Sequence, residues 1–257
     1  MTHAKTSETI SPKKRIFLLD ELRGFAVLCM VFYHAFYTLA YLCHLDWGLK
    51  LLFFFMPAEP FFAALFIFIS GISSDLSHSN LKRGLKLGVI AVAVSVVTAV
   101  VVPDELIVFG LLHFLSVCMI PFGLLKSKIE KIPFSWGWVL LCGVLYFFTF
   151  SVSQGYLGLK SFPIYLPDWW YEQNFLFPLG LCSSTFRSSD YFPLLPWVFV
   201  FLAGTFVGRF AVVGKFPMFM YRSRVPFFSF LGRHALIIYI AHQPVIYGIV
   251  LLFGLLR

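Results

Sequence analysis

The sequence predicts an all-α polytopic membrane protein: a transmembrane helix bundle of about seven spans with its N-terminus in the cytoplasm. Three observations carry this. Apolar residues make up 60% of the 257-residue chain and charged residues only 12%, about half the share of a water-soluble domain. The apolar residues gather into runs of roughly 20, the length that crosses a bilayer as a helix. The Lys and Arg residues cluster on alternate sides of those runs, which is how loop charge orients spans. The same composition excludes a disordered chain, a fibrous repeat and a disulfide scaffold. The five cysteines show no CxxC or zinc-ligand spacing. Four of them lie in or beside apolar runs, where a thiol behaves as a small hydrophobe.

Taken in order, residues 1–16 are polar and are expected to be unstructured. The span at 22–41 is too long for a cleavable signal peptide and carries Arg23 at its start. The span at 51–72 contains Pro57, Glu59 and Pro60, which predict a kink or a late start. Spans at 85–102, 107–125 and 135–153 follow. The long external loop 154–190 holds the aromatic and proline-rich run Pro163–Tyr171. That run reads either as an aromatic belt at the interface or as a lid with flat faces for a sugar. The span at 191–210 contains Gly204 and Gly208 at GxxxG spacing, read as helix packing. The last span is 234–256. No internal repeat is visible, so the inverted-repeat signature of secondary transporters is missing.

Fifteen basic residues fall on the N-terminal side of this alternation and four on the other. The net charge of +8 is therefore a topology signal, and no nucleic-acid partner is expected. The opposite side holds Asp46, Asp104, Glu105, Asp168, Glu172 and Asp190.

Ionisable residues at membrane depth are costly and mark function by default. At 1.5 Å per residue, His34, Glu59 and His113 all fall ~9–12 Å below the outer surface, from three different helices. His242 counts as somewhat nearer the cytoplasm. Arg23 and His34 are eleven residues apart, close to three turns, and share a face. His113 or His242 alone reads as a helix–helix hydrogen-bond partner, and Asp20 with Arg23 as an interfacial pair. His34 with Glu59 suits a general base, the carboxylate orienting the ring and stabilising its cation. No GxSxG, HExxH or Gly-rich phosphate loop is present.

Four motifs then carry a resemblance. They are Leu19-Asp20-Glu21-Leu22-Arg23-Gly24 with its apolar run to His34; Phe66–Ser73 followed by Asn80-Leu81-Lys82-Arg83-Gly84; Phe109–Leu115; and Asp190–Trp197. Over about residues 15 to 250 the chain resembles the heparan-alpha-glucosaminide N-acetyltransferase catalytic-domain family in its short bacterial form. The resemblance implies a transmembrane acyltransferase domain over 17–257. It implies acetyl-CoA or another acyl-CoA as cytoplasmic donor substrate and an amino-sugar or glycan acceptor on the far side. The multi-pass chain is then expected in the plasma membrane, with the lipid bilayer as its partner, no metal, and a second copy of the chain as a further candidate partner. The lysosomal member carries its catalytic His near His44 and an Asn in place of His34, whereas related surface-polysaccharide O-acyltransferases use a His in the position of His34. The lysosomal enzyme's large luminal segment is not in this sequence, so heparan sulphate itself is not the expected acceptor.

The expected catalytic set is thus His34, Glu59, His44 and His113, with His34 as base. The expected donor-binding set is Arg23, Asn80, Lys82, Arg83, Arg222 and Arg224. Rival readings are a surface-polysaccharide O-acyltransferase and a proton-coupled small-molecule transporter using His34 and Glu59 as a relay.

Overall fold

A computed structural model describes residues 15–254. The expected unstructured stretch 1–16 lies outside the described residues except for Arg15 and Ile16. The α-helices are α1 (Phe17–Tyr37), α2 (Asp46–Phe55), α3 (Glu59–Leu76), α4 (Asn80–Val101), α5 (Leu111–Ile129), α6 (Trp136–Thr149), α7 (Leu194–Val212), α8 (Pro226–Arg233) and α9 (Ala235–Leu252). Seven stretches among the described residues are long and apolar enough to cross a membrane, with α2 and α3 forming one of them. The all-α class predicted from composition therefore holds. A two-residue antiparallel pair, β1 (Tyr156–Leu157) with β2 (Ile164–Tyr165), lies in the long loop.

Several boundaries differ from the sequence reading, each for a local reason. The first span begins at Phe17 rather than 22, with Asp20 and Glu21 both answered by partners. Asp20 accepts from Arg15 Nε at 2.7 Å and faces Arg23 Nη1 at 3.4 Å. Glu21 Oε1 accepts from the Ser223 hydroxyl at 2.9 Å and from the backbone N–H groups of Arg224 and Val225 at 2.7 and 3.0 Å. Those bonds also seat the start of α8, a helix too short to appear in a search for spans.

The second span runs from Asp46 to Leu76. Pro57 falls in a 3₁₀ turn at Met56–Ala58 that separates α2 from α3, so the outcome is a kink and not a late start. The fourth begins at Leu111, because residues 106–110 bond the end of the long loop instead. Ser189 N donates to Leu106 O at 3.0 Å and Phe192 N to Phe109 O at 2.9 Å.

With lipid outside, polarity is inverted. Phe54, Val100 and Leu252 are exposed, while Asp20, Glu21, Ser70, Ser74, Asp75, Asn80 and Ser116 are buried. Apolar side chains gain little by leaving lipid for protein, so helices associate by close packing of small residues. A Cβ on Gly204 would strike Phe68 O on α3, one on Gly71 would strike Phe201 O on α7, and one on Gly208 would meet Asp75 Cβ and Ile72. The GxxxG read as packing thus packs α7 on α3. Gly24 of α1 and Gly232 of α8 interlock in the same way. Ser116 Oγ of α5 donates to Gly84 O of α4 at 2.9 Å.

The glycine contacts predict a contrast. Gly204→Val should destabilise the protein by ~1–3 kcal/mol through overpacking. Gly143→Ala, where an added Cβ meets nothing within 4 Å, should be neutral or stabilising by up to ~1 kcal/mol. Thermal unfolding of both variants in one detergent checks this.

Candidate active site

Three cavities meet inside the bundle. The first, about 300 Å³, is lined by Arg23, Arg83, Lys86 and Arg233 together with Phe66, Ser70 and Tyr239. Arg23, near the start of α1, and Arg83 and Lys86, near the start of α4, place its charged part close to the N-terminal end of α1 and the α3–α4 turn. The second, about 270 Å³, is lined by Tyr33, His34, Glu59, Asp190, Tyr191, Trp197 and Tyr239. The third, about 450 Å³, is lined by His34, Asp190, Tyr239, His242 and Gln243, with apolar residues of α4 and α9. Tyr239 lines all three, while His34 and Asp190 belong to the second and third.

At the junction the long loop turns inward. Asp190 Oδ2 accepts the Tyr239 hydroxyl at 2.6 Å and the Leu111 backbone N–H at 3.1 Å. That N–H belongs to the first turn of α5, where free amides and the helix dipole favour an anion. The Ser188 hydroxyl donates to Asp190 O at 2.8 Å and accepts from Val108 N at 3.0 Å. Burial raises the Asp190 carboxyl above the ordinary aspartate range; the bonds from Tyr239 and Leu111 pull it down.

The His34 and His242 rings lie 4.9 Å apart. They occupy one level, not the two that residue counting suggested. Counting assumes each helix starts at the surface, whereas α9 continues directly from α8. His242 Nδ1 lies 2.6 Å from Tyr239 O, which as a bond fixes the proton on Nδ1. Nε2 is then an acceptor, and it has no partner among the described residues. His34 Nδ1 lies 3.2 Å from Gln243 Nε2. In that placement the amide donates and Nε2 of His34 carries the proton. Rotating the amide puts Oε1 on Nδ1–H and frees the Nε2 lone pair, the form a general base requires.

Of the residues singled out in the sequence, His34 and Glu59 share the second cavity. No hydrogen bond joins them, and the side chain that contacts His34 is Gln243. His113 lies 3.3 Å from Ser95 Oγ and stacks on Phe109. His44 is exposed, at a turn with φ of 54°. Neither His113 nor His44 lines the three cavities.

Of the cations, Arg23 and Arg83 line the first cavity. Arg23 Nη2 donates to Ser73 Oγ at 2.5 Å and Arg83 Nη1 to Ser73 O at 3.5 Å, so one serine ties both guanidinium groups to α3. Lys82, Arg222 and Arg224 do not line it; the Arg224 guanidinium lies over the Phe219 ring. Asn80 is buried at the α3–α4 turn, its amide donating to Ser74 O at 2.6 Å.

Lys86, Arg233, Asp190, Tyr239 and Gln243 were not foreseen as site residues. Tyr239, His242 and Gln243 follow an i, i+3, i+4 pattern that marks one helix face, a signal present in the sequence. Asp190 was visible only as an outer acid, since nothing local shows the loop folding inward. Among the described residues no three His, Cys, Asp or Glu side chains form a group that could hold a metal ion.

Fold and site together define a polytopic membrane protein with a polar junction where three cavities share lining residues. The chain belongs to the family described as heparan-alpha-glucosaminide N-acetyltransferase, catalytic, whose profile matches residues 15–244. It is accordingly a membrane acetyltransferase by family. Comparison with curated proteins and with solved structures gives no match.

The Asp190 environment predicts a pH effect. A carboxyl with a raised folded-state pKa binds its proton more tightly folded than unfolded, so it adds stability at low pH that is lost as pH rises through the folded value. Asp190→Asn keeps an oxygen for Tyr239 and Leu111 but removes the titration. The thermal midpoint of the parent protein minus that of Asp190→Asn should therefore grow as pH falls below neutral. A pH series of thermal melts on both proteins checks the sign.

Proposed function

We propose that this protein moves an acetyl group from acetyl-CoA, bound at the N-terminal, cytoplasmic face, to an amine or hydroxyl of an amino-sugar or glycan acceptor reaching His34 from the other side of the plasma membrane. The observation that carries this is the sharing of Tyr239 between a cation-lined cavity and the two cavities that hold His34. A donor whose phosphates lie among Arg23, Arg83, Lys86 and Arg233 could thus present its thioester where the acceptor arrives. Guanidinium and ammonium groups suit phosphate through charge-assisted hydrogen bonds. The aromatic faces of Tyr33, Tyr191 and Trp197 suit a sugar ring.

In this reading His34 is the general base and Gln243 orients it. The acceptor nitrogen or oxygen attacks the thioester carbonyl carbon while His34 Nε2 takes the acceptor's proton. The tetrahedral adduct collapses, the C–S bond breaks, and the imidazolium returns the proton to the departing sulfur. Acetyl thioester and acceptor become acetylated acceptor and free CoA thiol, with no other reactant. Glu59, in the same cavity, supplies a negative charge that favours the imidazolium.

Two outcomes follow. Loss of a general base costs ~10²–10⁴ in rate. His34→Ala should lose that much kcat in folded, membrane-inserted protein, and His44→Ala should stay within about threefold of the parent, a loss of less than ~1 kcal/mol. A dead His44→Ala beside an active His34→Ala would place the base at the outer surface. Arg83→Ala should raise KM for acetyl-CoA about tenfold, the low end of one charge-assisted bond, with kcat little changed; steady-state kinetics on both substrates separates the two constants.

A further inference from the structure

We infer that the acceptor is an amphiphile, its polar head acetylated at His34 and its hydrocarbon chain lying in the third cavity, a groove between α1, α4 and α9. This rests on the acetyltransferase reading and adds the substrate class to it.

The groove is the largest of the three cavities, at about 450 Å³. Its lining along α4 and α9 includes the apolar Ile90, Ala93, Val94, Val97, Ile240 and Pro244. From Ile90 to Val97 its apolar wall follows α4 for ~10 Å at 1.5 Å per residue. Its edge residues Val97 and Ile240 are 57% and 39% exposed on helices that cross the membrane, so the groove opens sideways toward lipid. Tyr37, Thr98, Glu105 and Tyr247 also line the cavity, but between Ile90 and Val97 the α4 wall offers no polar side chain, which suits a hydrocarbon chain.

The inner end is different. There stand His34, Asp190, His242 and Gln243. His242 is 8% exposed, and its Nε2 has no partner among the described residues; as the amide is placed, neither has Gln243 Oε1. A buried acceptor atom left unpaired costs ~1–3 kcal/mol, so this end is built for something that donates. With the Gln243 amide turned onto His34 Nδ1, His242 Nε2 stays an unpaired acceptor and Gln243 Nε2 becomes an unpaired donor, a pair that fits a head rich in hydroxyl groups. The second cavity, with Glu59 and the aromatic rings, continues from the same residues and can take the rest of such a head. The occupant that satisfies both ends is a sugar-like head on a hydrocarbon chain, entering laterally from the bilayer.

The test uses the full-length protein in lipid nanodiscs, acetyl-CoA, and methyl, octyl and dodecyl glucosaminides. The parent should acetylate the octyl and dodecyl compounds with kcat/KM at least about tenfold above the methyl compound. Partition into the bilayer alone could produce that preference, so the deciding arm is a groove variant. Ala93→Trp and, independently, Val97→Trp should lower the dodecyl-to-methyl ratio of kcat/KM at least about tenfold, a difference of about 1.4 kcal/mol. Being a ratio within one protein sample, it is insensitive to the folded fraction. An unchanged ratio in both variants overturns the inference and leaves the acetyltransferase reading standing. If no glucosaminide is acetylated, the function reading falls, and binding decides the groove. A photoactivatable dodecyl glucosaminide should crosslink to α4 or α9 in the parent and lose that crosslink in Ala93→Trp. Crosslinking elsewhere, or unaffected by the substitution, contradicts the groove assignment.

Discussion

A carboxylate held by two donors below the outer surface sets the geometry at the centre of this molecule. Asp190 arrives on the end of a long loop and bonds the Tyr239 hydroxyl of α9 and the first N–H of α5. Three elements distant in sequence are thereby fixed to one oxygen atom. In a low-dielectric interior a hydrogen bond to a charged group is worth ~1.5–3 kcal/mol, and leaving either side unpaired costs at least as much. The loop therefore cannot lift away without exposing α5's first turn and releasing Tyr239. The walls of all three cavities follow from this, because Tyr239 borders each of them.

On the other face the same logic runs through different residues. Glu21 gathers three donors from residues 223–225 and holds α8 against α1, where Gly24 and Gly232 leave room for contact between backbones. That docking brings Arg233 to the cavity already lined by Arg23, Arg83 and Lys86. Ser73 anchors the two arginines from α3. The glycine seam between α3 and α7 supplies the rigid wall behind them. Small residues thus decide where the charged ones can stand.

The spans were legible because they depend on composition and length, which the bilayer constrains strongly. The interruption near Pro57 was legible from Pro57, Glu59 and Pro60, but only as a kink or a late start. The start of α1 was not, since Asp20 and Glu21 look unsuited to a span until partners from Arg15 and the loop before α8 are in place. The pairing of His34 with Glu59 was a depth argument. Depth brought them to one cavity, but the residue that contacts His34 is Gln243, one helix away and 209 residues later in sequence. His242, read as a packing histidine, lies beside His34 because helix start heights differ. The basic cavity's membership was half legible: Arg23 and Arg83 from their motifs, Lys86 and Arg233 only after α4 and α8 take their places.

In the proposed reading, a donor site on one face and an acceptor site on the other would make acetyl transfer directional across the bilayer. Reconstitution into sealed liposomes, with orientation scored by labelling a single cysteine at position 82, measures this directly. Acetyl-CoA on the α3–α4 turn side with acceptor on the opposite side should yield acetylated acceptor, and the reversed arrangement should yield none. Transfer only when both substrates share one side would contradict a junction at Tyr239 and His34 reached from two faces.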